Sequence, residues 1–148
     1  KGMLYEGGIR VPFIVNQPGM VPIQTLDNLI YFPDMMPTLA ALAKGTKHLP
    51  KQINGINILP LFYGKQVDTD NRLLYWEFPG KQRAARKGDW KCVTIHPNQP
   101  LELYNLKEDP EETNNLAQKY PRRVKEFDEE MQRMHIPTPN WPQPGEQF

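Results

Sequence analysis

The sequence has one cysteine, Cys92, among 148 residues, which excludes an intramolecular disulfide framework and says little about redox compartment. It has no apolar run approaching the roughly 18 residues that cross a bilayer; an export signal is expected, if anywhere, in a part of the protein preceding Lys1. It has almost no excess charge of either sign: 18 Lys and Arg face 17 Asp and Glu, a formal net of +1. That balance argues against the broad field with which proteins hold nucleic acid or an anionic membrane, so any anion site must be local. His48, His96 and His135 stand too far apart for zinc-ligand spacing. The Asp109–Glu112 stretch lacks the alternating oxygen ligands and the glycine of a calcium loop, and reads as a turn leading into a short helix. The basic cluster from Lys119 to Arg123 has no aromatic interleaving and reads as a solvated helix face.

Proline, by contrast, is abundant. Sixteen of the 148 residues are proline, about twice the usual ~5%, and they lie between apolar segments, as in short elements joined by stiff loops. Ile9–Asn16 is apolar enough for a buried strand, with Pro12 placing it at an edge and Gln17-Pro18-Gly19 stopping it. Asp34–Lys44 reads as a helix, capped by Asp34 and closed by Gly45, with Met35, Leu39 and Leu42 on the face turned to a sheet. Asn54-Gly55 is a turn signal, and Ile58–Phe62 is a short apolar anchor.

From Leu73 the pattern changes to short strands: Leu73–Phe78, Arg83–Arg86, Trp90–Ile95 and Leu101–Leu106, the middle pair turning at Lys87-Gly88-Asp89. Spacing this close implies antiparallel pairing. Pro121 suits a first helical position, and Val124, Phe127, Met131 and Met134 form an apolar stripe able to cover one sheet face. The expected fold class is α+β. Residues 1–64 are expected to be the end of a large α/β domain, its last strand and helix, and residues 65–148 a small subdomain with a four-stranded antiparallel sheet packed by a C-terminal helix. If the strand at Ile9–Asn16 lacks neighbours, apolar surface stays exposed and self-association is expected.

The opening residues carry the chemistry. Lys1 stands beside glycine-flexible backbone and a Glu6-Gly7-Gly8 turn, an arrangement suited to close approach to an anion. Because this segment begins without Met, we expect the chain to start partway through a larger protein. Glu6 and Arg10 are read as shaping the Gly7-Gly8 turn. The run from Lys1 to Pro12 resembles the Lys-Gly-x-x-x-Glu-Gly-Gly-x-Arg-x-Pro segment of the sulfatase family. Further segments are similar to that family in the same order: Asp34–Leu42, Asn54–Gly64 (with Asn54 where members usually have Asp), Arg83–Val93 with its Gly-Asp-Trp-Lys, and Leu103–Ala117 with its Leu-Tyr-Asn-Leu and Asn-Leu-Ala.

The resemblance implies hydrolysis of sulfate esters, on a sulfated glycan or an aryl sulfate, with Lys1 as the catalytic group gripping the sulfate. It implies a Ca²⁺ ion held by Asp and Asn side chains and a formylglycine nucleophile made from Cys or Ser in a Cys/Ser-x-Pro/Ala-x-Arg motif. Neither set of residues is in this sequence, so both are expected in another part of the protein and the present chain is expected to be inactive alone. Cys92, followed by Val93-Thr94-Ile95, does not match the motif and reads as a packing cysteine. Trp76, Glu77 and Arg83 are candidate substrate-binding residues, against the simpler reading of a strand alternating between core and solvent. The absence of an Asn-x-Ser/Thr acceptor favours a bacterial source, and the family resemblance a periplasmic or secreted location. Two alternatives stand: a phosphoester or phosphonate hydrolase of the same superfamily, and a non-catalytic module binding glycans or partners through Trp76 and Trp90, which would require exposed rings.

Overall fold

A computed structural model describes residues 2–78, 82–96, 98–140, 142, 146 and 147. Two compact units result, residues 1–11 with 72–148, and residues 12–71. The opening residues thus group with the small sheet.

The sheet unit is built on strands β1 (Leu73–Phe78), β2 (Gln82–Lys87), β3 (Trp90–Thr94) and β4 (Glu102–Asn105). They pair in the order β1-β2-β3-β4, every pair antiparallel. Gly88 turns the β2–β3 hairpin at φ 56°, a left-handed conformation that costs glycine least. Because side chains alternate along a strand, the sheet has two distinct faces. Ala85, Cys92 and Leu103 pack on one of them against Phe127 and Met131, two buried residues of the C-terminal helix Pro121–Met134. Ala84, Val93 and Tyr104 lie on the other face, and there Leu4 from the opening segment joins them. That segment forms one helical turn, α1 (Glu6–Ile9), with the Tyr5 carbonyl accepting from the Gly8 and Ile9 amides. The outer edge of β4 is covered by residues 115 and 116: Asn115 Oδ1 accepts the Leu103 amide and the Leu116 amide donates to the Leu103 carbonyl. A sheet edge satisfied by its own chain is closed to pairing with another.

The strand expected over Ile9–Asn16 does not form. Ile9 ends α1, and residues 10–16 have no regular structure. A strand needs a ladder, and no described residue supplies a partner for this stretch, while Pro12 has no donor to offer one. The short helix expected after Asp109–Glu112 is also absent; turns follow, with Glu112 at φ 57°.

The unit of residues 12–71 holds α2 (Met35–Leu42) and α3 (Leu59–Phe62); the Pro121–Met134 helix is α4. Here buried polar side chains do the joining. Asp34 accepts from the Tyr31 and Ile56 amides at 3.0 and 2.9 Å, and Thr38 Oγ1 accepts from Ile58 at 3.0 Å. Thr69 Oγ1 accepts from Leu29 at 3.2 Å. Asp34, Thr38 and Thr69 are all buried, so their oxygens need the amides they take up, and the Leu29 and Ile58 amides would otherwise face a dry interior.

Three local details go beyond expectation. The apolar stripe of α2 is present, but Leu39 and Leu42 face solvent while Pro37 and Thr38 are buried, because the hydrogen bonds of Asp34 and Thr38 draw the opposite side inward. The helix ends on Lys44 in the left-handed region (φ 57°) rather than on Gly45, whose amide reaches back to the Ala40 carbonyl. Gly55 serves a close approach: a Cβ there would stand 2.0 Å from the Pro33 carbonyl oxygen.

Candidate active-site mount

Lys1 lies outside the described residues, but the segment that leaves it is fixed at several points. The Gln82 carboxamide accepts the Leu4 amide at 3.2 Å and donates to the Gly2 carbonyl at 3.1 Å. Gly8 lets the segment close on itself, since a Cβ would lie 2.0 Å from the Met3 carbonyl oxygen. Tyr5 donates to Glu102 Oε2 at 2.6 Å, as Tyr104 does at 2.8 Å. Burial first, and then the Glu102 carboxylate, push both phenols well above their usual range, so they act here as donors.

Glu6 carries the strongest attachment. Arg86 and Lys91 stand opposite each other on β2 and β3, a like-charge pair that would be destabilising alone. Glu6 lies between them, with Oε1 2.9 Å from Lys91 Nζ and Oε2 3.5 Å from Arg86. Glu112 completes the group: its Oε1 is 2.9 Å from Lys91 Nζ, and its Oε2 accepts the Glu6 amide at 2.5 Å. The Lys91 side chain is fully buried and that of Glu112 only 3% exposed. Two cations and two carboxylates thus balance, with Lys91 and Glu112 nearly free of water, where attraction is strongest, and Arg86 partly exposed at the edge. Glu6 therefore does shape the turn that follows it, but through Lys91 and Arg86; Arg10 is exposed.

The substrate-binding candidates are only partly brought together. Glu77 and Arg83 are cross-strand partners on the face covered by α4, where Arg83 lies 3.7 Å from Asp128. Glu77 accepts from the Tyr75 hydroxyl and stands 2.5 Å from His135 Nδ1, while His135 Nε2 is 2.7 Å from Glu146. Trp76, one residue before Glu77, points to the opposite face and packs against the core around Ala84 and Leu4. Trp90 lies on the α4 side, edge-on to Tyr120 at 5.3 Å between centroids and with Arg123 4.3 Å over its ring. The two tryptophans share no surface, and both rings are in packed contacts.

Sequence reasoning missed Lys91, Glu112 and Gln82. One signal was available: alternation puts Lys91 on the same face as buried Val93, and a lysine on an inward face requires carboxylates.

The family model for the C-terminal region of N-sulphoglucosamine sulphohydrolase matches residues 1–136. The chain belongs to the sulfatase family. A sulfatase of Formosa agariphila is 31% identical over 138 residues, 82% of this chain and 25% of that protein. Arylsulfatase K of Gallus gallus is 30% identical over 143 residues, 86% of this chain and 26% of that protein. A Bacteroides thetaiotaomicron sulfatase structure, described with the metabolism of multiple glycosaminoglycans, superposes with a TM-score of 0.76 at 27% identity, covering 90% of this chain and 30% of that one. The sulfatase chain thus spans about a quarter of the length of these curated relatives.

The sulfatase sequence contains no serine, and its one cysteine is buried in β3. Among the described residues no group of three or more His, Cys, Asp or Glu side chains is arranged to hold a metal. No helix among the described residues is long and apolar enough to cross a membrane.

Proposed function

We propose that this chain is the C-terminal part of an enzyme that hydrolyses sulfate esters of a glycan or an aryl sulfate, with Lys1 gripping the sulfate and residues 2–9 as its mount. The observation that carries the reading is the agreement of two independent facts. The family match covers residues 1–136, and the fully buried Lys91 with the carboxylates of Glu6 and Glu112 anchors the segment that follows Lys1. A sulfate leaving its ester spreads negative charge over its oxygens, and a fixed ammonium stabilises that charge best when it need not be reorganised during the reaction. The relative described with glycosaminoglycan metabolism supports a sulfated glycan as substrate class. The formylglycine nucleophile and the calcium ligands would come from residues outside this chain.

The test is Lys1→Ala in the full-length protein. Sulfate released from sulfated oligosaccharides and from an aryl sulfate, followed by ion chromatography, should fall about 100- to 1,000-fold in kcat/KM. Undiminished release would sink the assignment of Lys1, and hydrolysis of phosphate esters in preference to sulfate esters would sink the substrate class.

A further inference from the structure

We infer that Lys91 and Glu112 are positioning residues for residue 1, holding the opening segment in the one place from which its lysine can meet a sulfate; this rests on the sulfatase reading above. Three observations converge on it. Lys91 and Arg86 are set opposite each other across β2 and β3, and the carboxylate lying between them, Glu6, comes from the opening segment. Removing the segment would leave Arg86 and Lys91 facing each other with the single carboxylate of Glu112 against two cations, so the strands favour having it bound. Glu112 adopts φ 57°, a left-handed conformation that residues other than glycine rarely hold unless their surroundings impose it. Its carboxylate reaches both Lys91 Nζ and the Glu6 amide, so one side chain fixes the cation and the backbone together.

Finally, the segment has no slack. Gly8 is pressed against Met3, and Gln82 holds Gly2 and Leu4 from the side. The Lys91 ammonium is buried between the carboxylates of Glu6 and Glu112. Its effect on a reaction would pass through the placement of residues 2–6.

A double-mutant cycle in the full-length protein tests this, with sulfate release from a sulfated oligosaccharide as the readout. Lys91→Met should lower kcat/KM about 100-fold, and the Lys1→Ala, Lys91→Met double variant should be no slower than Lys1→Ala alone. Losses that multiply in the double variant would overturn the inference, because Lys91 would then act by another route. Glu112→Gln, which keeps size and one acceptor oxygen, goes through the same cycle should Lys91→Met fail to fold.

Amide hydrogen exchange gives a readout independent of catalysis. Glu112→Gln should speed exchange at Glu6 and through residues 2–9 while β2 and β3 stay protected. Unchanged exchange at Glu6 would overturn the inference whatever the kinetics show. If Lys1→Ala leaves hydrolysis intact, the sulfate-gripping reading fails together with the kinetic half of this inference, and exchange at Glu6 still decides whether Lys91 and Glu112 hold the segment.

Discussion

Cys92 shows how far environment can remove a residue's chemistry. Burial, with the Asp128 charge adding to it, pushes its thiol up to about 12, and only the thiolate is a useful nucleophile. At pH 8 the native protein should therefore react with a thiol reagent only as fast as it unfolds, and the denatured chain at once; a rapid native reaction would contradict this. His135 behaves in the opposite sense. Burial alone would lower its pKa, but hydrogen bonds and charge from Glu77 and Glu146 outweigh that, and the net shift is upward from 6.5. A cation stabilised on folding contributes fully below the unfolded pKa and is lost as pH rises through the folded one. The melting temperature should accordingly fall as pH rises from about 6 through the raised value, and His135→Gln should flatten that slope. The same slope in both proteins would show that the Glu77–His135–Glu146 contacts contribute nothing. Neither residue's role was legible in the sequence, since the partners of His135 lie 58 and 11 positions away and proximity of that kind is a product of the fold.

At the scale of elements, local pattern was a good guide wherever one face of an element decides its burial. β1 runs from Leu73 to Phe78 and α4 starts at Pro121, both as periodicity and capping chemistry predict, because alternation of two and recurrence of three to four are properties of contiguous residues. The same reasoning failed for Ile9–Asn16 and for α2. A strand requires a partner that composition does not name, and α2 is oriented by two polar side chains rather than by its leucines. The Lys91 group was hidden for a related reason: Glu6 lies 85 positions from Lys91, and 106 from Glu112. The dependence of the sheet on α4 can be measured. Met131 is fully buried against Ala85, Cys92 and Leu103, so Met131→Ala should cost about 2–5 kcal/mol, read as a lower urea midpoint at unchanged slope. A loss below ~1 kcal/mol would mean that the helix is not a structural cover for that face.

The whole molecule combines two unlike ways of holding together. In the sheet unit, apolar layers on both faces enclose a neutralised charge group. In the unit of residues 12–71, Ile58, Leu61 and Leu29 are buried and Asp34, Thr38 and Thr69 organise the backbone, while several other apolar side chains remain outside. Phe32 is 87% exposed, and Met36, Leu39 and Leu42 are each more than half exposed. Phe32 and Met36 line the same surface depression, together with Met35 and Ile53, which makes the exposure a patch rather than scattered single residues. Apolar area gathered in this way favours association, since each square ångström removed from water is worth about 25 cal/mol, and soluble monomers seldom expose a large contiguous patch. The 148-residue chain should therefore self-associate, its weight-average mass in sedimentation rising with protein concentration. Phe32→Asp combined with Leu39→Lys should return it to a monomer without altering the far-ultraviolet spectrum, because neither side chain is part of the buried structure. A chain that stays monomeric at the highest soluble concentration, or a double variant that associates as before, would show that this face does not drive association.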